Sequence, residues 1–169
     1  ETGGVFKTVI DATAGGMSSS TKNPYVYISL KDGKRVDIDD LKAKTSTAWD
    51  IAFKRSVIRI NGGDSGAGVG AISIQTGTTL DKVTTVPTAS TFAQDDFLDA
   101  NCKISTDPIG QILTAIGGTT GMWYTMDGIS KLKPNPDTYV IKLADGSGYV
   151  KMVIVTYYGG ASNTASANY

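Results

Sequence analysis

The sequence predicts an all-β domain of many short antiparallel strands and hairpins, with at most one short helix. Apolar residues come in short runs cut by Gly, Asn and Asp, the rhythm of strands punctuated by turns. Around Trp49 the alternation is strict: Trp49, Ile51 and Phe53 interleave with Asp50, Ala52 and Lys54, giving one apolar and one wetter face at period 2. Gly is 20 of 169 residues, Ser and Thr are abundant, and most aromatics are Tyr, a mix typical of all-β secreted domains.

Taken in order, 5–10 reads as an opening strand, with Val5, Lys7 and Val9 on one face and Phe6, Thr8 and Ile10 on the other. Residues 15–20 are a Gly- and Ser-rich connector. A strong strand over 25–30 meets Asp32-Gly33, a pair suited to the two positive φ values of a type I′ turn. The return strand is 35–38, and 39–47 is polar loop. The 49–54 strand follows, then 57–60. Four glycines then fall within seven residues, at 62, 63, 66 and 68, marking backbone that takes positive φ or admits close approach by another chain.

A strand over 71–74 precedes 81–91, where Pro87 points to edge or loop. The one helix candidate is 108–116. Asp107 can cap it, Pro108 suits its first position, and Ile109, Ile112, Leu113 and Ile116 share a face. Residues 122–126 form a compact apolar strand, 133–136 a turn, and 139–143 with 149–158 a long hairpin. At 169 residues the chain suits one domain, expected over 5–158. Residues 1–4, which hold the sole glutamate, read as an expression scar or disordered start, and 159–169 as a flexible tail.

Composition excludes several classes of function. Net charge is zero and no basic run exceeds a dipeptide, so a nucleic-acid footprint is not expected. No stretch is long and apolar enough for a transmembrane helix. Histidine is absent, which removes the usual general base and metal ligand. Cys102 is the only cysteine, without an intramolecular disulfide partner or a catalytic base beside it. Asp95, Asp96, Asp99 and Asp107 are read as caps and solvated groups rather than a glycosidase pair, and Asp37, Asp39 and Asp40 as a turn rather than a calcium loop. Gly62 to Gly68 lacks the Gly-Lys-Ser/Thr ending of a phosphate loop and the Gly-x-Ser-x-Gly of a nucleophile elbow. A structural turn is expected there, and no enzyme.

Trp49-Asp50-Ile51-Ala52-Phe53-Lys54-Arg55 with its glycine loop resembles the HmuY-like haem-binding proteins. The resemblance continues through Asp81-Lys82-Val83-Thr84-Thr85-Val86-Pro87-Thr88, Tyr139 to Gly146, Tyr149-Val150-Lys151-Met152 and Thr156-Tyr157-Tyr158. It implies an all-β, exported protein of Bacteroidota, lipid-anchored at the outer-membrane surface through an upstream segment, or released. The implied partners are haem or a related tetrapyrrole, a TonB-dependent outer-membrane receptor and host haem proteins.

The resemblance also implies two axial side chains on haem, histidines in some members and methionines in others. Met126 matches the position of the second ligand. A thioether is a soft, neutral donor that suits iron in an apolar pocket and favours the reduced metal. Trp123, Tyr124 and Ile129 are the expected porphyrin contacts. The 89–121 segment, where the family places its first ligand, is shortened and has neither His nor Met. Met122 is a poor substitute, because residues four apart on a strand sit roughly 13 Å apart. Two sulfurs clasping one iron need about 4.6 Å, taking a metal–sulfur bond of about 2.3 Å as guide. Cys102, the only soft residue in that segment, is the conditional candidate for the missing ligand beside Met126, and Met17 lies on a connector. Three outcomes stay open: weak five-coordinate binding, a different tetrapyrrole or siderophore-like ligand, or no haem. Beside the haemophore reading stand an interaction module that has lost haem ligation and an adhesin-like β domain.

Overall fold

A computed structural model describes residues 5–16, 18–106, 112–117, 122–128 and 131–158. Among the described residues nine strands form three antiparallel sheets, in line with the all-β expectation. β1 (Val26–Ser29), β2 (Lys34–Val36), β3 (Ile51–Lys54) and β4 (Val57–Ile60) make a four-stranded sheet in the order β2-β1-β3-β4. β5 (Ala71–Gln75), β8 (Thr138–Lys142) and β9 (Tyr149–Met152) make a second, ordered β5-β8-β9. β6 (Tyr124–Asp127) and β7 (Lys131–Pro134) form a separate hairpin.

Period-2 alternation gives the four-stranded sheet two different faces. Ile28, Ile51, Ile58 and Ile60 enter the main core with Ile72, Ile116, Trp123, Tyr139 and Ile141. The opposite face carries Tyr25, Tyr27 and Ala52, which pack with Trp49 and Ala43 in a smaller core. Trp49 and Ile51 therefore serve different cores, and the wetter face expected of Asp50 and Ala52 is buried.

Buried carboxylates and one amide tie the layers together. Asp50 accepts from Leu30 N and from Ala144 N, both at 2.8 Å, joining the first sheet to the β8–β9 turn. Asn61 donates to the carbonyls of Ser46 and Trp49 and accepts from Gly68 N. The glycine loop is a structural turn, as expected. A Cβ on Gly66 would sit 2.2 Å from Asn61 Oδ1, and one on Gly63, which has φ +61, would sit 2.0 Å from the Asp95 carbonyl oxygen.

Several local expectations are overturned. Among the described residues, 5–10 pair with no strand, and Phe6 is 77% exposed. Ser29 pairs with Lys34 across a four-residue loop in which only Gly33 has positive φ, so the Asp-Gly pair does not build a type I′ turn. The polar 39–47 segment contains a short helix, α1 (Asp40–Ala43), with Asp39 Oδ1 capping Lys42 N. Ile112 bridges Thr106, and 113–117 are not helical; the rest of that helix candidate, 107–111, lies outside the described residues. Lys133 and Pro134 belong to β7 rather than a turn, Pro134 being tolerated because β7 is an edge strand. β9 ends at Met152, short of 158. The expected scar at 1–4 and tail at 159–169 lie outside the described residues.

Candidate functional site

Met126 sits on β6 opposite Leu132 of β7 and is 49% exposed. Its hairpin rests on an aromatic base. Trp123 donates its indole N–H to the Ser56 carbonyl at 2.8 Å and meets Tyr124 edge-on with ring centroids 4.9 Å apart. Tyr157 lies 5.8 Å from Trp123, and the Tyr158 hydroxyl accepts from Leu132 N at 2.9 Å. Burial pushes the Tyr157 phenol above its ordinary range, which keeps it protonated. Asn135 closes the base, donating its backbone N–H to the Trp123 carbonyl and its side-chain amide to the Met122 carbonyl.

The remaining expected site residues are dispersed. Met122 packs partly buried against the main core. Trp123 and Tyr124 are core side chains, 3% and 4% exposed. Ile129 and Met17 lie outside the described residues. Cys102 is exposed at a left-handed position, φ +58, on the turn closed by the Leu98–Ile104 bridge. Among the described residues no hydrogen bond or β-bridge joins that turn to the β6–β7 hairpin.

The aspartates weighed for chemistry have structural partners. Asp95 Oδ2 accepts from Ile60 N and Ser65 Oγ, and Oδ1 from Ala115 N. Burial raises its pKa above the ordinary value, opposed by these hydrogen bonds and by Arg59. Asp64 accepts from Phe97 N and Leu98 N, and Asp99 from Asn101 N and Lys103 N. Among the described residues no group of three or more His, Cys, Asp or Glu could hold a metal ion.

A cleft elsewhere was not expected from the sequence. On the tyrosine face of the four-stranded sheet, a cleft of about 700 Å³ is lined by Tyr25, Tyr27, Lys44, Lys54, Arg55 and Arg59, with Asp40 and Asp64 at its walls. Arg59 lies over the rings of Tyr25 (4.3 Å) and Phe97 (5.0 Å), and Lys54 over Tyr25 (4.4 Å). Asp40 Oδ1 accepts from Tyr25 N and the Tyr27 hydroxyl, both at 2.8 Å. Burial and that carboxylate push the Tyr27 phenol far up, so it remains a donor. The signal was present as Tyr25-x-Tyr27 and Lys54-Arg55 with Arg59, but strand pairing was needed to bring the two sets together.

The family model described as HmuY protein matches residues 21–169. A crystal structure of an apo HmuY analogue from Tannerella forsythia superposes with a TM-score of 0.52 at 19% identity, covering 85% of this chain and 82% of that one. At that identity the likeness concerns the fold. No curated relative matches the sequence.

Proposed function

The chain belongs to the HmuY family of haem-binding proteins, and from that premise we propose that it is a non-enzymatic haem-binding protein of the cell surface, with Met126 as an axial ligand. The observation that carries this reading is the half-exposed thioether of Met126, presented by a hairpin with an aromatic base. An accessible sulfur on a braced strand fits a soft iron donor. When bound, haem would supply the iron and the redox chemistry; the chain would supply the thioether of Met126. Surface location, lipid anchoring or release, and delivery to a TonB-dependent receptor belong to the same proposal.

Titration with ferric and dithionite-reduced haem tests it. A Soret shift stronger in the reduced state and lost in Met126→Ala is the expected result. No shift in either state, or a shift indifferent to that substitution, overturns the assignment.

A second reading has its own observation. Met122 and Met152 pack against the core, and Cys102 sits on a separate turn. That favours an interaction module on the same scaffold that has lost haem ligation and binds a protein partner or another small ligand. Saturable haem binding at micromolar or tighter affinity counts against it.

A further inference from the structure

We propose that the cleft on the tyrosine face of the four-stranded sheet binds a small oxyanion-bearing molecule, a carboxylate or a phosphate, through Arg55 and Arg59. The proposal is independent of the haem reading, since Met126 does not line this cleft.

Charge is the first argument. Four cations, Lys44, Lys54, Arg55 and Arg59, and two carboxylates, Asp40 and Asp64, line the cleft, an excess of two positive charges in the lining of a chain of zero net charge, with buried Asp95 as a further carboxylate acting on Arg59. The two acids are also occupied: Asp64 holds the backbone of Phe97 and Leu98, and Asp40 holds Tyr25 and Tyr27. Of the four cations, only Lys54 makes an ion pair among the described residues, at 3.7 Å to Asp40.

Unmet hydrogen bonding is the second. The guanidinium groups of Arg55 and Arg59 hydrogen-bond Tyr157 and Tyr25, yet the Nε–H of each is buried without an acceptor. Buried donors are rarely left so, and a guanidinium fork matches the two oxygens of a carboxylate or phosphate. The Thr21 hydroxyl lines the same space as a further donor.

Preorganisation is the third. Arg59 is already clamped between two rings, so little side-chain freedom remains to be lost on binding. Arg55 occupies the two-residue turn between β3 and β4 at φ +53. Glycine is the residue that adopts this conformation without strain, yet the position carries a long cationic side chain. The cleft volume falls within the range of small-molecule sites.

The test is an NMR titration of the labelled protein with inorganic phosphate and, separately, with citrate, against sodium chloride of equal ionic strength. Saturable shifts at the amides of Arg55, Ser56 and Ser65 in one or both arms are expected, and the arm that saturates identifies the anion class. Arg55→Gln, which leaves the Arg59 ring stacks in place, is expected to weaken binding by about tenfold, and Arg59→Gln by at least as much where it folds. Met126→Ala is expected to bind the anion unchanged, so loss of haem binding and loss of anion binding are read separately. Shifts that track ionic strength alone, that fall outside the cleft, or that persist undiminished in Arg55→Gln overturn the proposal.

Discussion

Asp95 is 1% exposed, yet both of its oxygens are engaged by Ile60 N, Ser65 Oγ and Ala115 N, three donors from separate stretches of chain. An amide in its place turns an N–H₂ toward one of those donors, so Asp95→Asn is expected to cost about 2 kcal/mol in urea unfolding. The pH dependence has a definite sign. Unfolded, the carboxyl titrates near its ordinary 3.8; folded, burial holds it higher. Between the two values the folded state binds more protons, so this group's contribution is fully present below 3.8 and fades as pH rises through the folded value. The stability gap between the native protein and Asp95→Asn is therefore expected to widen on acidification, and a gap that narrows refutes the account. At this scale the sequence was a poor guide. Asp95 sits in an Asp-rich stretch and looks like a solvated cap, because its donors lie 20 to 35 residues away along the chain.

Elements were legible where both the hydrophobic period and the turn chemistry were local. The strands later found as β1, β3, β4, β5 and β8 follow directly from runs such as Tyr25-Val26-Tyr27-Ile28 and Trp49 to Phe53. Residues 5–10 show the limit. Their alternation suits a strand, but a strand also needs an edge to pair with, and none among the described residues receives them. Phe6 is accordingly exposed. Phe6→Ser is expected to shift unfolding stability by no more than about 0.5 kcal/mol, measured by urea denaturation. A larger loss would restore the segment to a packed strand. Turn chemistry fails for a similar reason at Asp32-Gly33, where the pairing of Ser29 with Lys34 sets a longer loop.

The whole molecule depends on contacts between its sheets. Asp50 accepts Leu30 N beside β1 and Ala144 N, 94 residues away, in the β8–β9 turn. Asp50→Ala leaves the buried Ala144 amide and the part-buried Leu30 amide without this acceptor and is expected to lower stability by about 3 kcal/mol, read from the thermal or urea midpoint. A loss below about 1 kcal/mol would mean that the sheets are held chiefly by the apolar core. The functional surfaces emerge at this scale too. Met126 is visible in the sequence as a soft donor, but its half-exposed setting on an aromatic base is a product of packing. The cationic cleft arises only when β1 and the β3–β4 hairpin bring Tyr25 and Tyr27 beside Lys54, Arg55 and Arg59.

The sequence by itself determined the all-β class, most of the strands and the glycine loop as a structural turn. Each depends on neighbours within a few residues, through side-chain alternation and the steric freedom of glycine. The resemblance carried by the Trp49-to-Gly68 stretch and the segments after it led to the family, since it rests on the order of such local motifs. Tertiary structure alone decided that 5–10 pairs with no other described strand, that Asp50 and Asp95 are buried fasteners, and that Cys102 lies on a turn apart from the β6 strand that carries Met126. Those outcomes turn on which donor, strand edge or ring arrives from far along the chain, and local sequence does not encode that arrival.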